Sequence, residues 1–186
     1  MKSNSILSKI LFSVSCFFIL LLTVSGCISE PDYPAAPVIS FNQIRKVSLK
    51  AGTGVGQGAR DSIIITLNFQ DGDGDLGVNI NDKNLSAILK ATPNYEMKTL
   101  FKVKGIYKVI DLGDSYSKFF FQPLRTDGKS GPIEGQLDYS TGYYYDFDYG
   151  FKSRLKKDTV KFQIFIRDRA LNQSNTIESD PIIINE

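Results

Sequence analysis

Apolar and polar residues alternate with a period of two through most of this chain. In Asp61–Phe69 (DSIIITLNF) the odd positions Ile63, Ile65, Leu67 and Phe69 are apolar, which predicts a strand with one buried face. Thr159–Arg167 repeats the pattern with Val160, Phe162, Ile164 and Ile166. Val38–Leu49 and Pro181–Ile184 read as the first and last strands, and Leu100–Val103 and Ile106–Ile110 flank Lys104–Gly105 as a hairpin. Ile133–Tyr139 alternates as well, with Ile133, Gly135, Leu137 and Tyr139 on one parity. Asn84–Lys90 offers a turn or two of helix capped by Asn84, and long amphipathic helices are missing. Short strands separated by Gly, Asn and Asp predict an all-β chain, an antiparallel β-sandwich with a closed barrel as the alternative. The connections over 71–94 and 122–132 exceed those of a minimal sandwich, and such insertions are decoration or function.

The N-terminus breaks this pattern. Lys2 and Lys9 precede an apolar run from Ile10 to Val24, shorter than the roughly 20 residues that cross a bilayer as a helix. A charged start, a short apolar core and small residues after it predict a secretory signal peptide over 1–26. Val24-Ser25-Gly26-Cys27 resembles a bacterial lipobox, which implies cleavage before Cys27 and its acylation. Bacterial lipoproteins carry several acyl chains, palmitate among them, and two or more chains anchor a protein stably. Cys16 lies within the signal, so Cys27 is the one mature cysteine and an internal disulfide is ruled out. Residues 27–37, with Pro31, Pro34 and Pro37, read as an extended tether ahead of a domain over 38–186. Glu30 and Asp32 resemble the acidic export signals of Bacteroidota surface lipoproteins, which implies an outer-membrane protein facing the surface or the periplasm. Removing Lys2 and Lys9 with the signal leaves basic and acidic residues balanced at 20 each, which argues against a nucleic-acid partner.

Candidate chemistry concentrates in NFQDGDGDLGVNIND, residues 68–82. Asp71, Asp73 and Asp75 match the first, third and fifth positions of an EF-hand calcium loop, with Asn79 at the ninth and Asp82 at the twelfth. Leu76 occupies the sixth position, normally Gly, and a strand precedes the loop, so a true EF-hand is not expected. Strand parity brings in a further acid. Phe69 and Ile166 both point inward, so Asp71 and Asp168 continue the same lines at the ends of their strands, and Asp168 is expected to approach the cluster. Converging carboxylates repel and need a cation or arginines between them. Three readings stay open: calcium held by Asp71, Asp73, Asp75, Asn79, Asp82 and Asp168; a salt-bridged end using Arg167 and Arg169; or a solvated Asp-Gly turn.

Other segments offer less. Ala51–Gly58 has alternate glycines without the Gly-Lys-Ser/Thr ending of a phosphate loop, and reads as a flexible loop. Tyr143–Tyr149 (YYYDFDY) is either one more strand with Tyr143, Tyr145, Phe147 and Tyr149 on one face, or a contact surface using Tyr143, Tyr144, Tyr145 and Tyr149. The chain has no histidine, which excludes Ser-His-Asp triads, Cys-His pairs and histidine metal sites. An enzyme would rely on paired carboxylates, as glycoside hydrolases do, drawn from Asp71, Asp73 and Asp75 or from Asp146 and Asp148. Acids crowded on one loop do not span a scissile bond, so a catalytic residue is not expected.

FQDGDGDLG after one strand, paired with DTVKFQIFIRDRALNQSNTI near the C-terminus and GPIEGQLDY over 131–139, resembles a family of small β-rich Bacteroidota lipoproteins without an assigned function. Asp168-Arg-Ala-Leu-Asn-Gln-Ser-Asn175 is similar to the Asp-x-Ala-Gly-Asn-x-Ser hairpin of extracellular immunoglobulin-like domains, with Leu171 in place of Gly. The resemblance implies an immunoglobulin-like sandwich on an acylated anchor. The expected function is a non-enzymatic binding module, its binding face at the end carrying 71–82 and 168–175. The alternative is a glycan-binding accessory lipoprotein of a polysaccharide-uptake system. Partners on either reading are the membrane through Cys27, and an envelope protein or a glycan.

Overall fold

A computed structural model of the chain describes residues 30–52, 58–145 and 158–184. The strands are β1 (Val38–Leu49), β2 (Arg60–Asp71), β3 (Tyr95–Val103), β4 (Ile106–Ile110), β5 (Lys118–Phe119), β6 (Ile133–Tyr144), β7 (Asp158–Ile166), β8 (Ile177–Glu178) and β9 (Ile182–Ile184). One short helix, α1 (Ala87–Ala91), and a single 3-10 turn at Asp114–Tyr116 complete the regular structure of the described residues. Two sheets form. One has the order β1-β2-β6; the other runs β4-β3-β7-β8, with β5 also on β3 and β9 also on β7. All pairings between these strands are antiparallel.

The period-two pattern accounts for the core. Ile63, Ile65 and Leu67 of β2 and Val160, Phe162, Ile164 and Ile166 of β7 are fully buried, joined by Tyr95, Met97 and Phe101 of β3. Aromatic contacts tie the sheets together: Tyr139 of β6 stacks on Tyr95 of β3 at 4.8 Å between ring centres, and Phe119 packs on Tyr139 at 4.3 Å. The hydroxyls of Tyr143 (β6) and Thr99 (β3) share a buried hydrogen bond of 3.1 Å. On the far side Asn175 staples β1, accepting from Ile39 N–H and donating to Ile39 C=O, each at 2.9 Å.

Several expected elements differ in detail. β1 carries a register irregularity between Phe41 and Gln43, so its half-buried positions move from Phe41 to Ile44 and Lys46. Ser86 caps α1 in place of Asn84, accepting from Leu89 N–H at 3.3 Å. The Lys104–Gly105 hairpin forms as expected, with φ of 51° and 85°. β6 ends at Tyr144; Phe147, Tyr149, Asp146 and Asp148 lie outside the described residues, as does most of the glycine-rich stretch after Ala51.

Candidate cation site

Register fixes what meets at one end of the sheets. Val38 pairs with Gln70 and Asp71 with Ile133, so β1 begins, β2 ends and β6 begins together. In the second sheet Tyr95 pairs with Ile166, so β3 begins where β7 ends. An antiparallel bridge between Leu76 and Asp168 joins the loops that follow β2 and β7. Asp168 therefore lies beside the cluster, as strand parity requires.

One carboxylate oxygen from each of Asp71, Asp73 and Asp75 lies within 4.8 Å of the others. Oxygens on opposite sides of a calcium ion, at 2.3–2.6 Å each, stand about 4.6–5.2 Å apart, so the spacing suits a shared ion. Asp71 has no exposed surface. Its Oδ2 accepts the Asp75 N–H at 3.0 Å, while its Oδ1 accepts nothing. Among the described residues four buried side-chain polar atoms lack a hydrogen-bond partner, and three of them are the Oδ1 atoms of Asp71, Asp73 and Asp75. Buried polar atoms are ordinarily satisfied, so an unsatisfied oxygen on each of three clustered aspartates makes this a candidate site for a cation.

Electrostatics points the same way. Burial, followed by the charges of Asp73 and Asp75, pushes the Asp71 carboxyl up to about 6; the Asp75 N–H opposes this and Asp168 adds to it. Asp75 is also raised, by burial and then by Asp168 and Asp73, against the Arg169 N–H and guanidinium.

Of the remaining predicted ligands, Asp168 is buried, with both oxygens occupied by Asn172, Oδ1 by its N–H at 2.7 Å and Oδ2 by its amide at 2.8 Å. It adds charge beside the cluster while its oxygens hold the hairpin. Asn79 and Asp82 are exposed, and each turns an oxygen onto a nearby backbone N–H, that of Asn81 and of Asn84 respectively. The structure does not bring them to the three aspartates, because the chain leaves the cluster at Leu76, which is drawn into the core. Of the two arginines of the alternative reading, Arg169 acts on Asp75 through its N–H and its charge, without closing an ion pair. Arg167 pairs with Glu96 and donates to the Pro93 carbonyl, and among the described residues no arginine forms an ion pair with Asp71, Asp73 or Asp75. A solvated turn would leave the oxygens in water, whereas one oxygen of each aspartate is shielded.

The aromatic run divides. Tyr143 has no exposed surface and is a core residue, so it is unavailable to a ligand. Tyr145 donates to buried Asp61 at 2.7 Å, and Tyr144 lies under the Arg60 guanidinium, 5.5 Å from its ring centre.

Three supports of the site carried no signal in the sequence. Arg125 donates to the carbonyls of Gly131 and Pro132, at 2.9 and 3.2 Å, and Gly131 N–H in turn reaches the Asp73 carbonyl at 3.1 Å. Asn94 grips Phe121 from both sides, holding the 120–132 segment over the loop, where Val78 N–H meets the Phe121 carbonyl. The third is the expected tether. Tyr33 and Pro34 pack on Gly72, within the compact unit that spans Asp32–Glu186. The end proposed from sequence as the binding face is thus also where the chain enters the domain.

No family model, curated protein or solved structure matches this chain.

Proposed function

We propose that this chain is a membrane-anchored bacterial envelope lipoprotein, acylated at Cys27, whose immunoglobulin-like sandwich is a non-enzymatic interaction module held in shape by calcium. The observation that carries the ion is the clustering of the Asp71, Asp73 and Asp75 carboxylates, each of which keeps one shielded, unpartnered oxygen. Calcium takes about six to eight oxygens and favours carboxylates, so these three residues would hold it and leave further positions to water. Its role here is to neutralise charge and pin a loop. Strand order supports the immunoglobulin-like reading: β1-β2-β6 and β4-β3-β7-β8, with β9 also on β7, correspond to strands A-B-E and C′-C-F-G if β9 is taken as G. The anchor rests on Val24–Cys27 and the apolar run before it. Against catalysis stand the absence of histidine and the crowding of the acids, whose oxygens lie closer than the roughly 5–5.5 Å of paired glycosidase carboxylates.

Thermal unfolding of the full chain in detergent tests the ion. Calcium at about 100 times its Kd stabilises by about 2.7 kcal/mol, worth roughly 5–10 °C for a domain of this size. Asp73→Asn is expected to abolish that gain while raising the melting temperature of the ion-free protein, because one of three repelling charges is gone. An unmutated chain indifferent to millimolar calcium would overturn the reading.

A further inference from the structure

Gly72 sits between two of the three candidate ligands, and its N–H donates to the carbonyl of Pro34 at 2.8 Å. The approach is so close that a Cβ at Gly72 would lie 2.3 Å from the Tyr33 carbonyl oxygen and 2.8 Å from that of Pro34. Nearby, the Tyr33 hydroxyl donates to Glu134 Oε2 at 2.6 Å, on the first turn of the pleat of β6. Pro37 is buried. Residues 33–37 are therefore laid onto the loop that carries the aspartates.

We infer that cation binding at Asp71, Asp73 and Asp75 and docking of Tyr33–Pro34 on Gly72 are one coupled equilibrium, so that loss of the cation frees the segment before β1. The inference rests on the calcium reading above and adds its regulation. Gly72 lies between Asp71 and Asp73 in the chain, so a loop conformation that keeps their carboxylates together also sets the direction of the Gly72 N–H, which meets the Pro34 carbonyl. On its other flank the loop is held by Gly131 N–H on the Asp73 carbonyl. Without a cation the three carboxylates repel and the loop spreads, which disturbs the Gly72–Pro34 hydrogen bond that holds the segment on it. Coupling of this kind is reciprocal: whatever the cation adds to docking, docking adds to cation affinity.

The consequence is a change of reach. A fully extended chain spans at most about 3.3–3.6 Å per residue, so from Cys27 to a docked Tyr33 the slack is about 20 Å, and from Cys27 to Val38 about 40 Å. A domain acylated at Cys27 would stand close to its membrane with calcium bound and roam further without it.

Hydrogen exchange of the peptide covering residues 32–41, on the full chain in detergent with calcium or with chelator, reads docking, and calorimetric titration reads cation affinity. Calcium is expected to slow exchange at Tyr33, Ala35 and Ala36. Gly72→Ala should abolish that protection and weaken calcium binding by about fivefold or more, the usual scale of coupling between sites. If Gly72→Ala fails to fold, Tyr33→Ala leaves the loop intact and should shift both readings in the same direction. Calcium uptake with unchanged exchange at 32–41 would overturn the coupling and leave the cation site standing. Absence of calcium uptake by the unmutated chain would overturn both.

Discussion

At the scale of single residues, the deciding fact is that Asp71 is fully buried beside Asp73 and Asp75, with one oxygen unsatisfied. Its folded carboxyl is pushed up to about 6 from an ordinary value of 3.8, first by burial and then by its neighbours. The sign follows from linkage. The ion-free folded state holds this proton more tightly than the unfolded chain, so the contribution is favourable at low pH. It declines as pH rises from about 4, where the unfolded chain ionises, through about 6, where the folded carboxyl does. In chelator, chemical denaturation should accordingly show stability falling across pH 4 to 6 from this group, while saturating calcium reverses the trend by favouring the ionised form. A chelated protein that gains stability over that window through Asp71 would contradict the assignment, and Asp71→Asn, which has no proton to lose, isolates the contribution.

At the scale of elements, hydrophobic periodicity made β2, β6 and β7 legible, because each alternates along its length, while β4 was legible from the Lys104–Gly105 turn beside it. β5 and β8, of two residues each, carry no period to read. The three aspartates were legible from spacing, and Asp168 from parity, yet Asn79 and Asp82 were misplaced because a loop template ignores the pull of Leu76 into the core. Arg125, Asn94 and Tyr33 act through partners remote in sequence, so local pattern gave no access to them. The hairpin after β7 sharpens the point. Leu171 stands where similar hairpins have Gly, and it adopts φ of 67°, the left-handed conformation that glycine takes without steric cost. Leu171 is also 40% exposed, so truncation removes little packing. Leu171→Gly is expected to stabilise the chain by up to about 1 kcal/mol, roughly 2–4 °C in melting temperature. A fall in melting temperature would show that the leucine side chain contributes more than its backbone costs.

At the scale of the whole molecule, the two ends of the sandwich divide the work. The end with the aspartates receives the chain, through residues 33–38, and is packed by the 120–132 segment and the Asp168 hairpin. The other end carries the end of β1, the start of β2, the end of β6 and the start of β7, together with the Lys104–Gly105 turn, and it lies away from the chain's point of entry. On the proposed anchoring, the acidic end expected from the sequence to carry the contacts is also the end at which residues 33–38 enter. This arrangement also makes anchoring and ion binding physically separable, since Cys27 lies outside the compact unit that begins at Asp32. Cys27→Ser, made with the signal sequence otherwise intact, is expected to shift the chain from the membrane to the soluble fraction on cell fractionation. The calcium-dependent rise in melting temperature should survive the substitution unchanged, because the aspartates and the Gly72–Pro34 hydrogen bond are untouched. A variant that stays with the membrane would remove the acyl anchor from the reading. One that leaves the membrane and also loses the calcium response would show that the sandwich needs its anchor to form the site, and the two halves of the proposal would no longer stand independently.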